Sequence, residues 1–122
     1  MQTQTADIQL IEKTVGYYFD GMINHNTDSI AKAFHETGTM KWVEDDYKEV
    51  NAISALSEYL KANQPVKTKT KILAINVEGN VANARLELEY ETFYFIDFMN
   101  ILKIKGEWKI VSKIYTTKQK AF

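Results

Sequence analysis

The sequence predicts an α+β domain in which three N-terminal helices pack on a strongly bent antiparallel sheet. Two observations carry this. Apolar residues recur at spacings of three and four until about Asn63, and after Pro65 they alternate with polar residues to the end of the chain. Three helices with one short strand among them are therefore followed by four long strands, an order that segregates helices from sheet.

Ile8, Ile11, Val15, Tyr18 and Met22 form the stripe of a long first helix over Asp7–Asn24, with an acidic residue at the start where the helix dipole favours it. The polar run 24–28 breaks it, and Thr27 is placed to cap a short second helix carrying Ile30, Ala33 and Phe34. His35–Gly38 reads as the end of that helix, and Thr39–Glu44 as a strand with Met40, Trp42 and Glu44 on one side. Residues 44–47 read as an acidic loop. A third helix over about Val50–Asn63 is stopped by Pro65, the only proline. Strands follow at about 66–78, 81–95, 97–105 and 107–117, with turns at Gly79-Asn80 and Lys105-Gly106.

With 122 residues, 45% hydrophobic and 25% charged, the chain has the size and composition of one globular domain, 1–122. It has no cysteine, hence no disulfide or thiolate metal site. No apolar run reaches the length of a membrane span, and Met1–Thr5 lacks the features of a signal peptide, so the expectation is a cytoplasmic protein with no membrane contact. The net charge of -1 is uneven: residues 1–63 hold five basic against ten acidic residues, and residues 97–122 six lysines against two acids. Those lysines are spread along strands without an aromatic stacking series, which reads as a solvated sheet face and predicts no nucleic-acid partner.

The order of elements, together with Tyr17–Met22, Phe34-His35-Glu36, Asp97–Ile104 and Gly106–Val111, resembles the nuclear transport factor 2-like superfamily, also called cystatin-like. That superfamily includes SnoaL-like polyketide cyclases and ketosteroid isomerases, and the nearest likeness is to the family named "Putative lumazine-binding". The resemblance implies a cone, with an apolar pocket between helices and curved sheet, and dimerisation through the sheet. It covers nearly the whole chain and speaks for fold more than activity.

Within that frame Asn100 is the conspicuous residue, an amide whose strand neighbours of the same parity are Phe98, Leu102 and Ile104. A buried amide needs hydrogen-bond partners, and a ligand carbonyl or the Tyr18 hydroxyl would supply one. Likeness to ketosteroid isomerase puts Asn100 where that enzyme has a protonated aspartic acid, and Tyr18 near its oxyanion tyrosine. The slot of the catalytic base holds Trp42, which cannot accept a proton from carbon. His35 and Glu44 are the remaining candidates for catalytic groups, with His35 also a candidate ligand contact. Tyr18, Trp42, Phe98 and Tyr115 are together candidate aromatic walls for a small hydrophobic or aromatic ligand, although each taken singly is better explained as core. No metal or cofactor is expected: the two histidines lack zinc spacing, and there is no phosphate loop. The leading expectation is a small-molecule-binding domain that forms a homodimer. A cofactor-independent isomerase or dehydratase for a small cyclic substrate and a dimeric interaction module are the alternatives.

Overall fold

The structure, a computed structural model, describes residues 4–121, so the reading of the Met1–Thr5 segment falls largely outside it. The elements are helix α1 (Gln4–Asn24), helix α2 (Thr27–Ala33), strands β1 (Phe34–Glu44) and β2 (Asp46–Asn51), helix α3 (Ala52–Ala62), and strands β3 (Lys69–Glu78), β4 (Val81–Glu89), β5 (Phe93–Ile104) and β6 (Glu107–Gln119). The three helices and the alternating second half are as the periodicities predict. No helix among the described residues is long and apolar enough to cross a membrane.

Helix α1 buries Ile11, Val15, Tyr18 and Met22 against the sheet, the stripe read from the sequence. Its start is anchored by Asp7, which accepts from Lys103 Nζ at 3.1 Å and Trp108 Nε1 at 3.2 Å. Asn26 rather than Thr27 caps α2, its side chain accepting from the amides of Asp28 and Ser29. A Cβ at Gly21 would collide with Ile30, so glycine is what lets α1 and α2 approach.

Three local readings are corrected. Residues 35–38 do not end the second helix; β1 begins at Phe34, directly after α2, with a bulge between Phe34 and Thr39. The acidic stretch is a tight hairpin: β2 pairs antiparallel with β1 across Asp45, whose φ is 63°. Its side chains are nearly all exposed, which suits a charged edge strand and hides it from a hydrophobicity pattern. Finally, the strand read as 81–95 is broken at 90–92, where Tyr90 N donates to Phe93 O at 2.9 Å, and a new strand starts at Phe93.

The six strands form one sheet in the order β2-β1-β6-β5-β4-β3. It is antiparallel except between β1 and β6, which run parallel. One face carries Ala84, Leu86, Leu88, Met99, Ile101, Trp108 and Ile110 into the core beneath the helices. A second bulge lies in β6: Asn100 pairs with Ser112 but Ile101 pairs with Ile110, which leaves Val111 as the extra residue. Inward parity consequently changes from Trp108 and Ile110 to Lys113 and Tyr115.

Candidate functional site

The restart at Phe93 and the bulge at Val111 decide what the sheet shows to the helices. On β5 the buried parity is Asp97, Met99 and Ile101, and the parity of Phe98, Asn100 and Leu102 is exposed. The inner face therefore presents two adjoining ladders. One runs Leu86–Asp97–Tyr115, and the next runs Ala84–Met99–Lys113–Met40. An acid and a lysine, the charged members of these two ladders, stand as diagonal neighbours beneath α1.

Asp97 is 0% and Lys113 3% exposed, and Tyr18 reaches down from α1 to the same place. The Tyr18 hydroxyl donates to Asp97 Oδ2 at 2.6 Å. The other oxygen, Oδ1, is buried with no partner, the one such side-chain atom found among the described residues. Leaving a buried polar group unmatched costs about 1–3 kcal/mol, so its retention in an apolar layer calls for an explanation. Lys113 Nζ lies 5.1 Å from the centre of the Tyr18 ring and 4.8 Å from that of Tyr115. The salt bridges among the described residues are Lys103–Asp7 and Lys120–Glu89, so Asp97 and Lys113 act on each other at longer range.

Burial dominates the electrostatics. It pushes the Asp97 carboxyl above its ordinary range, against the pull of Lys113 and the Tyr18 hydrogen bond. It lowers the Lys113 ammonium, against the Asp97 charge. It raises the Tyr18 hydroxyl well above its ordinary value, with Asp97 adding to the effect. Acid and amine are thus both driven toward their neutral forms. A protonated Asp97 that accepts from Tyr18 on Oδ2 carries its own hydrogen on Oδ1, which makes the unmatched atom a donor.

From this group an aromatic series leads outward. Tyr115 contacts Trp42 at 5.5 Å and Phe95 at 5.4 Å between ring centres, and Phe95 contacts Tyr90 at 5.4 Å. All four rings are only partly buried, and burial raises the Tyr90 hydroxyl to about 12.

The predicted site residues divide between the two faces. Tyr18, Trp42 and Tyr115 meet on the inner face. Phe98 and Asn100 do not; they lie outside. Asn100 is exposed in a polar ladder with Asn83, Ser112 and Thr39, so its supposed burial is corrected. Asp97, three residues earlier on the same strand, is the residue that holds Tyr18. His35 is half-buried and tied into its own bulge, its Nδ1 meeting Thr37 Oγ1 at 2.9 Å and the Thr37 amide at 3.2 Å. Glu44 is exposed and accepts from Trp42 Nε1 at 3.5 Å. Among the described residues no three His, Asp or Glu side chains gather as a metal site.

The outer face has its own relief. Arg85, Phe98, Ile114 and Lys41 form one ladder, with the Arg85 guanidinium 5.7 Å from the Phe98 ring centre. They line an open groove of about 560 Å³ together with Trp42, Val43, Tyr47 and Tyr115.

The profile of the family named "Putative lumazine-binding" matches residues 6–116. The chain belongs to this family. Among curated proteins it is similar to the aldolase FrzH of Cladobotryum sp., at 22% identity over 114 residues, 91% of each chain. Among solved structures it is similar to an NTF2-like protein of unknown function from Shewanella baltica, with TM-score 0.86, 28% identity, and coverage of 96% of this chain and 98% of that one. A ketosteroid isomerase-like protein from Erwinia carotovora shares the fold at TM-score 0.73 and 11% identity, covering 89% and 94%. These likenesses agree with three helices on a curved sheet of the NTF2-like, cystatin-like kind.

Proposed function

We propose that the protein is a small-molecule-binding domain whose ligand places a polar oxygen against Asp97 and its flat apolar body along Trp42, Phe95 and Tyr115. The observation that carries this is the unmatched, buried Asp97 Oδ1 beside a tyrosine that already satisfies Oδ2. Ligand sites combine apolar walls with few convergent polar groups, and a carboxyl held neutral in an apolar layer donates a hydrogen bond as no ionised carboxylate can. The family name supports a planar ring bearing carbonyls as the ligand class. Calorimetric titration with lumazine and with simpler aromatic ketones is expected to give binding that weakens roughly tenfold or more in Asp97→Leu, which has no donor, in line with loss of a buried hydrogen bond of about 1.4 kcal/mol. Equal affinity for Asp97→Leu and the parent would overturn the assignment.

An enzyme acting on carbonyl compounds is a second reading, supported by the presence of both an acid and an amine on the inner face and by likeness to an aldolase. Its chemistry would run through Asp97 and Lys113, since Glu44 is solvent-exposed and bonded to the Trp42 indole, and His35 is held by Thr37. The exposed Val43, Phe98 and Ile114 support self-association through the outer face, with a second copy of this chain as the occupant. Sedimentation is expected to show a dimer that Phe98→Glu dissociates, and a monomeric parent protein at micromolar concentration would contradict it.

A further inference from the structure

The geometry points to Lys113 as a covalent carbonyl-binding residue, whose amine condenses with an aldehyde or ketone that Asp97 polarises. This rests on the inner-face reading above and goes one step further, from holding an oxygen to attacking the carbon that bears it. Lys113 is singular among the 14 lysines of the chain in its setting. It is 3% exposed and packed between two tyrosine rings, and its strand neighbours across the sheet are Met99 and Met40 rather than acids. A lysine with only a structural role normally snorkels to water or closes a salt bridge, whereas the bulge at Val111 turns this one inward, where it closes no salt bridge among the described residues. Asp97 sits diagonally across from it, at a backbone separation of about 7–8 Å that lies within reach of the long lysine side chain.

The titratable groups facing Lys113 are Tyr18 from α1, Asp97 from β5 and Tyr115 on its own strand. Desolvation favours the free amine in this setting, and the same apolar layer favours the protonated form of Asp97. Condensation then balances. The Nζ lone pair forms the C–N bond while the C=O electron pair moves to oxygen, which takes the Asp97 proton. One of the two protons on the resulting ammonium returns to Asp97, which gives it to the hydroxyl. Water leaves as the nitrogen lone pair closes the C=N bond, and a protonated imine remains beside the Asp97 carboxylate. The charge pair so created is mutually neutralising where either charge alone would be expensive.

Reductive trapping tests this with benzaldehyde and cyanoborohydride at pH 7, followed by peptide mapping by mass spectrometry. Labelling of Lys113 is expected to exceed that of any exposed lysine severalfold, because burial leaves more of its amine in the free form. Asp97→Asn is expected to slow labelling at Lys113 and leave the exposed lysines unchanged. Lys113→Met and Lys113→Arg, checked for folding by circular dichroism, are expected to lose the selective label. Benzaldehyde binding is followed in parallel by the NMR shifts of Tyr18 and Met99. If those shifts move but Lys113 is labelled no faster than exposed lysines, the covalent role is overturned and the inner-face site stands. If neither occurs, both are overturned.

Discussion

Asp97 and Asn100 lie three residues apart on β5 and face opposite surroundings. Asp97 points under α1, takes a hydrogen bond from Tyr18 and leaves one oxygen unmatched; Asn100 points away from the helices and joins three short polar side chains in a ladder across the outer face. Both polar groups interrupt apolar runs, yet only one is difficult to account for structurally. Water can satisfy an exposed amide, whereas a buried carboxyl oxygen must find its partner in protein or ligand. An unusual residue type in a strand is therefore a weaker functional signal than an unusual residue on the dry face.

Substituting neighbours on the two faces breaks this comparison most directly. Met99 is 0% exposed, so Met99→Ala is expected to cost about 2–5 kcal/mol, while Asn100→Ala next to it stays within about 0.5 kcal/mol. Urea unfolding of both variants measures the contrast, and similar losses would mean that the faces are misassigned. Tyr18→Phe is next in size. It removes the donor to Asp97 Oδ2 and leaves both carboxyl oxygens unmatched, at a cost of about 1–3 kcal/mol, which the same unfolding curves read.

The pH dependence sharpens the contrast, because the inner pair titrates with opposite signs. A raised Asp97 pKa means that the folded state holds this proton more tightly than the unfolded chain. Its contribution is complete below about pH 3.9 and is lost as the pH rises through the folded value. A lowered Lys113 pKa means the reverse: stability from this group grows as the pH rises from its folded value toward about 10.4. Each proton contributes a slope of at most about 1.4 kcal/mol per pH unit. Unfolding measured from pH 4 to 10 is expected to lose the falling limb in Asp97→Asn and the rising limb in Lys113→Met, and to keep both in Asn100→Ala. Unchanged profiles in the first two variants would show that neither group is perturbed.

What could be read from the sequence follows the same division. The helices, the third-helix stop at Pro65 and the buried parity of β4 were legible because one period dominated each segment. In β5 both parities are apolar, Phe95, Met99 and Ile101 against Ile96, Phe98 and Leu102, so alternation could not choose between them. The choice was made elsewhere, by the break at 90–92 that restarts the register. Lys113 was illegible for a related reason. Counting in twos from Trp108 puts it on the outer face, and only the extra residue at Val111 turns it inward. Bulges set by cross-strand pairing leave no mark in local composition. Tyr18 and Trp42 lie on the inner face in line with the periods of their own segments, whereas Tyr115 reaches it through the same bulge as Lys113.

The central claim is that the inner-face carboxyl, and not the outer-face amide, is the polar point at which a ligand is held. Heteronuclear NMR that follows the Asp97 carboxyl carbon and the Asn100 side-chain amide in one sample, through a pH titration and then on addition of lumazine, tests it most directly. Asp97 is expected to titrate above the ordinary carboxylate range and to shift on ligand addition while Asn100 stays still. An Asp97 that titrates normally and does not respond to ligand, with shifts clustering at Asn100, Asn83 and Ser112, would contradict it.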